Sequence, residues 1–113
     1  MSQATIDRTV FAELQDTAGA DFVQELLQTF FEEAPAMLKE LREAHAAANA
    51  DAFRRAAHSL KSNSLTFGAQ GLAAMARDLE VGGLAAAPTA AALAALQDEY
   101  ERAAAALAAL SHG

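Results

Sequence analysis

Near neutral pH, histidine is the side chain best suited to accept and release a group, and this chain of 113 residues has three. One of them, His58, lies in the stretch Arg54-Arg55-Ala56-Ala57-His58-Ser59-Leu60-Lys61-Ser62-Asn63-Ser64-Leu65-Thr66-Phe67-Gly68-Ala69. Read as a helix at about 100° per residue, Phe53, Ala56, Leu60 and Phe67 gather on one side, and His58 falls about 160° from Leu60. Its surface neighbours, three and four residues away, are Arg54, Arg55, Lys61 and Ser62. The spacing therefore predicts an imidazole directed at solvent among cations, with a small residue leaving room for approach. That setting suits a nucleophile for an anionic group. The cations disfavour the protonated ring and so favour its neutral, nucleophilic form.

Each signal has a plainer structural reading. A surface histidine is often only solvated. Arg54 and Arg55 can form exposed salt bridges to Asp51 or to upstream glutamates, each contributing about 0–1 kcal/mol. Asn63 and Ser64 turn toward the interior, where a structural hydrogen bond is expected. His45 has no comparable setting and reads as solvated. A carboxylate-bridged metal bundle needs Glu-x-x-His pairs, but Arg42 and Arg55 precede His45 and His58 at that spacing. No metal site is expected.

The elements that position His58 follow from the apolar pattern. Asp7 to Gln15 reads as a short helix, with Ile6, Val10, Phe11 and Leu14 on its apolar side and a break at Asp16–Gly19. A long helix starts near Asp21 and carries Phe22, Val23, Leu26, Leu27, Phe30, Phe31, Met37, Leu38 and Leu41. Pro35 lies inside it, and a kink is expected there. Asn49 or Asp51 starts the His58 helix, which ends near Gly68. Another helix runs from about Gln70, through Leu72, Met75, Ala76 and Leu79, to Gly82-Gly83. Thr89 can cap a last helix with Leu93, Leu96, Tyr100, Leu107 and Leu110 as its stripe. The phenylalanines at 22, 30, 31, 53 and 67 read as core.

Composition agrees. Hydrophobic residues make up 53% and aromatics 6%, so alanine supplies much of the apolar count and helix is favoured over strand. Short connections favour antiparallel neighbours. The fold class is all-α, an antiparallel up-down-up-down four-helix bundle with a short additional N-terminal helix, filling residues 1–113 as a single domain. The absence of cysteine excludes thiol catalysis and thiolate metal sites. No signal-peptide or membrane-spanning pattern is read, so a cytoplasmic location is expected. A net charge of −7 argues against nucleic-acid binding. A bundle that closes on itself is expected to be a monomer.

The run Ala57-His58-Ser59-Leu60-Lys61-Ser62-Asn63-Ser64, followed by Phe67-Gly68-Ala69, resembles the signature of histidine-containing phosphotransfer (HPt) domains. Phe22-x-x-Glu25-Leu26-Leu27-x-x-Phe30, Ala34-Pro35 and Leu72-Ala73-x-x-Ala76-x-x-Leu79-Glu80 are similar to further family features. The resemblance implies a phosphorelay carrier without autokinase activity. His58 would accept a phosphoryl group from the aspartyl phosphate of a response-regulator receiver domain and pass it to another receiver, with a hybrid sensor histidine kinase as an upstream partner. Lys61 would neutralise phosphoryl oxygens. Ser62 stands where the family has a small residue, very often glycine. Gly68 resembles the family glycine near the end of the histidine helix, and Ser64 belongs to the same motif. No cofactor is implied for this chain, since Mg²⁺ would come with the receiver. The receiver is expected to cover Ser62 and Leu65, flanked by Arg54 and Arg55, together with Leu14 and Phe22.

Two other functions compete. The dimerisation domain of a sensor kinase has an acidic residue directly after its histidine and a proline beyond it, where this chain has Ser59 and Asn63. A non-catalytic helical adaptor binding receiver or kinase domains would not need His58, Lys61 and the small residues together.

Overall fold

The computed structural model describes residues 5–86 and 90–112, and each regular element among them is helical. Helix α1 spans Arg8–Ala18, α2 Ala20–Ala46, α3 Ala50–Thr66, α4 Gln70–Gly82 and α5 Ala90–His112. A short 3-10 turn, Gly83–Ala86, follows α4 and was not anticipated. The expected cap at Thr89 lies outside the described residues.

Local chemistry sets most boundaries. Asp7 caps α1 by accepting from the Thr9 and Val10 amides at 3.0 and 3.4 Å. The expected break at Asp16 is corrected, because α1 continues through Ala18. Asp16 and Thr17 are exposed there and tolerate a helical backbone. The stop is Gly19, whose φ of +92° leaves the helical region. Asn49, rather than Asp51, caps α3 by accepting from the Ala52 amide at 3.1 Å. Pro35 leaves α2 unbroken from Ala20 to Ala46. Pro35 is exposed while Ala34 and Leu38 are buried, so its missing N–H faces away from the core and the apolar stripe stays in phase.

Helices α2, α3, α4 and α5 close a ring in which α2 packs on α3 and α5, and α4 packs on α3 and α5. Helix α1 lies outside the ring against α2 and α3. Phe30 stands at its centre, with its ring centroid 5.3 Å from that of Phe67 and 6.0 Å from that of Tyr100. Truncating Phe30 to alanine would cost about 3–5 kcal/mol. The assignment of all five phenylalanines to the core is corrected at two positions. Phe31 is half-buried, and Phe22 is 52% exposed at the start of α2, where the ring of helices no longer encloses it.

The turns on either side of α3 have the same geometry. After α2, Ala48 N–H donates to His45 O and Asn49 N–H to Ala44 O; after α3, Gly68 N–H donates to Leu65 O and Ala69 N–H to Ser64 O. Both are Schellman closures, which place one residue in the left-handed region. That residue is Gly68 at φ +75° in one and Ala48 at φ +54° in the other. Gly68 has a second constraint. Its carbonyl accepts from the Asp7 amide at 2.7 Å, and a Cβ there would lie 2.7 Å from Asp7 O and 3.0 Å from Val10 Cβ. Gln70 Nε2 adds a bond to Asp7 Oδ2 at 2.9 Å. The start of α1 is thus fastened to the turn that sends α4 back along α3.

Candidate functional site

That hairpin builds the site. His58 is on the outer face of α3, with its side chain 58% exposed. Leu60 and Ala57 beside it are buried, so the helix is anchored while the ring is free. Helix α4 returns antiparallel and brings Glu80 opposite. Its Oε2 is 2.6 Å from His58 Nδ1, and its Oε1 is 2.6 Å from Lys61 Nζ. Glu80 is only 19% exposed, and Oε1 is sealed from solvent with the Lys61 ammonium as its charge partner.

Glu80 is held below its ordinary value of 4.5, foremost by the bond from Lys61 and then by the bond from His58, which together outweigh its desolvation. It is therefore a carboxylate near neutral pH and can only accept. In the neutral ring this selects the tautomer with the proton on Nδ1, donated to Glu80, and the lone pair on Nε2, away from Glu80.

The expected all-cationic setting of His58 is corrected. The charged group in contact with the ring is a carboxylate. Lys61 is half-buried and paired with that carboxylate, and Arg54 is paired with Asp51 at 2.8 Å. Arg55 is exposed, has no ion pair among the described residues, and lines a groove with Glu40, Glu43 and Ser59. One-dimensional spacing shows neighbours along a single helix and cannot show what a second helix brings across.

Other residues fall as follows. Ser62 is exposed, and Leu65 is 53% exposed. Ser64 is buried and donates from Oγ to Leu60 O at 2.6 Å. Asn63 donates from Nδ2 to Ser59 O at 2.8 Å. Leu14 is half-buried, packed against the core. Phe22 is exposed at the start of α2. His45 is not simply solvated: it is half-buried, with its ring 6.4 Å from that of Phe53.

Glu80 is the residue that helix-by-helix reading missed. A signal was present, since Glu80 ends the Leu72–Glu80 segment and lies about as far beyond the Phe67–Ala69 turn as His58 lies before it. Among the described residues, no group of three or more His, Cys, Asp or Glu could hold a metal ion, and no helix is long and apolar enough to cross a membrane.

No curated protein and no solved structure matches the chain. The family model described as Hpt domain matches residues 25–106, a span that runs from the first turns of α2 into α5 and contains His58, Lys61 and Glu80. With most of its length matched, this chain belongs to the Hpt domain family.

Proposed function

We propose that His58 is the phosphoacceptor, taking a phosphoryl group from a receiver's aspartyl phosphate and passing it to a second receiver. The family supports histidine phosphotransfer in phosphorelays as the general role. The observation that carries the assignment of His58 is its 2.6 Å contact with Glu80, which ties Nδ1 and leaves Nε2 facing outward on an exposed ring.

The step balances on these atoms. The Nε2 lone pair forms the N–P bond as the P–O bond to the donor aspartate breaks, and the aspartate leaves as a carboxylate. The ring then holds a proton on Nδ1 and phosphorus on Nε2, so it carries positive charge opposite Glu80. A fixed carboxylate favours that charge as it develops. The same cationic ring is a good leaving group when the next aspartate attacks, because it departs as neutral imidazole. Lys61 sits beside the ring, where an ammonium can offset phosphoryl charge. Mg²⁺ is supplied by the receiver, and the chain acts as a monomeric carrier, not an autokinase. Ser62 and Leu65 form the near part of the contact surface.

The test is His58→Gln. It is expected to abolish acid-labile phosphorylation by a phosphorylated receiver while leaving helical circular dichroism unchanged, because His58 lies outside the core. Equal labelling of the variant and the wild type would remove the assignment.

A further inference from the structure

A shallow groove of about 240 Å³ runs between α3 and α4 directly beside the His58 site, lined by Lys61, Leu65, Gln70, Ala73, Ala74 and Arg77. We infer that this groove seats the receiver domain, with Arg77 and Leu65 as the residues that select it. The inference rests on the phosphorelay reading above and adds a face of α4 that the motif around His58 does not contain.

Three observations carry it. The first is continuity. Lys61 lines the groove and is also ion-paired to the carboxylate that holds His58. A domain that brings an aspartyl phosphate to Nε2 must cover the ground next to Lys61.

The second is charge. Arg77 is exposed and, like Arg8 and Arg55, has no ion pair or side-chain hydrogen bond among the described residues, whereas Lys39, Arg54, Lys61 and Arg102 are paired with carboxylates; of the three, Arg77 is the one that lines this groove. A free guanidinium at this point runs against the chain's net charge of −7. The partner's phosphorylated aspartate must lie among carboxylates able to hold Mg²⁺, so its rim is acidic where this rim is basic.

The third is apolar exposure. Among the described residues, Leu65 and Val81 are two of the three large hydrophobic side chains that stand exposed, at 53% and 79%. Gln70, Ala74, Arg77 and Val81 recur at helical spacing along one outward stripe of α4. Ala73 and Ala74 line the groove with small side chains, which leaves room for a partner helix or loop to approach. Small apolar centres with a charged rim are typical of transient protein contacts.

The experiment uses the full chain and the receiver that transfers fastest to it among those of the source organism. Arg77→Glu and Leu65→Arg are expected to lower the second-order transfer constant by about tenfold, with the rate at saturating receiver unchanged. Direct labelling of His58 by phosphoramidate, which needs no receiver, should be the same in both variants and the wild type. Lys39→Glu carries the same charge change on α2 and should transfer normally. Raising salt should slow the wild type more than Arg77→Glu. Wild-type transfer constants in both groove variants would overturn the inference. So would altered self-association in Arg77→Glu with transfer unmoved, which would assign the groove to a second copy of this chain. If phosphoramidate labels His58 but no receiver does, the phosphorelay reading itself falls, and this inference with it.

Discussion

His58 and Glu80 are 22 residues apart in sequence and 2.6 Å apart in space, joined through Nδ1 and Oε2. The same carboxylate reaches Lys61 through its other oxygen. One side chain on α4 therefore orients the His58 ring and restrains the Lys61 ammonium. Glu80→Gln keeps an acceptor for the ring but removes the charge that favours a cationic phosphohistidine. Transfer at saturating receiver should fall by about tenfold, with little change in receiver affinity. Single-turnover quench-flow measures it, and an unchanged rate would show that Glu80 only packs.

Glu80 also makes a signed prediction about pH. Its carboxyl is lowered in the folded state, so its stabilising contribution is present above the ordinary 4.5 and is lost as pH falls through the lowered value. The stability advantage of the wild type over Glu80→Gln should therefore hold near neutral pH and shrink below 4.5. Urea melts of both proteins across that range check the direction. An advantage that grew on acidification would contradict the ion-pair geometry.

Lys61→Ala removes the ammonium beside the ring and frees Glu80 Oε1. Transfer should slow while receiver binding persists, because a charge placed for the phosphoryl group acts on rate more than on docking. Separating the saturating rate from the half-saturation concentration distinguishes the two. A loss confined to affinity would place Lys61 in the contact surface instead.

Ser62→Arg puts a long cation on the exposed face next to His58 and should weaken receiver binding and transfer without unfolding the helix. Glu101→Arg, on the exposed side of α5, is the matched control and should behave as wild type. Equal transfer by Ser62→Arg and Glu101→Arg would move the receiver off this face.

The two Schellman turns predict opposite effects of exchanging glycine and alanine. Gly68→Ala adds a Cβ at positive φ against Asp7 O and Val10, and should cost about 2 kcal/mol or more. Ala48→Gly relieves a left-handed alanine and should stabilise by about 0.5–1 kcal/mol. Thermal melts of the two variants test the pair, and a stabilising Gly68→Ala would refute the contact with α1.

Much of this protein is determined along the chain. Asp7, Gly19, Asn49 and Gly68 set helix ends because caps and positive-φ turns act within a few residues. The stripe of Phe53, Ala56 and Leu60 puts His58 outside the core because helical periodicity is local. The outward placement of His58 and Ser62 and the helix end near Gly68 are legible on those grounds, while the roles expected of Lys61, Ser62 and Gly68 come from the resemblance. What lay beyond reach depended on contacts between helices. Phe22 continues the stripe of α2 yet stands exposed, because the stripe does not show where the bundle ends. His45 looked solvated until Phe53 came beside it from α3. Glu80 stands in the sequence only as the end of the family-like Leu72–Glu80 segment, with no role from its spacing, and the charge around His58 reads as purely cationic. Only the packing of α4 on α3 joins Glu80 to His58 and Lys61, since a contact across a hairpin depends on helix register and rotation, which single-helix spacing does not specify.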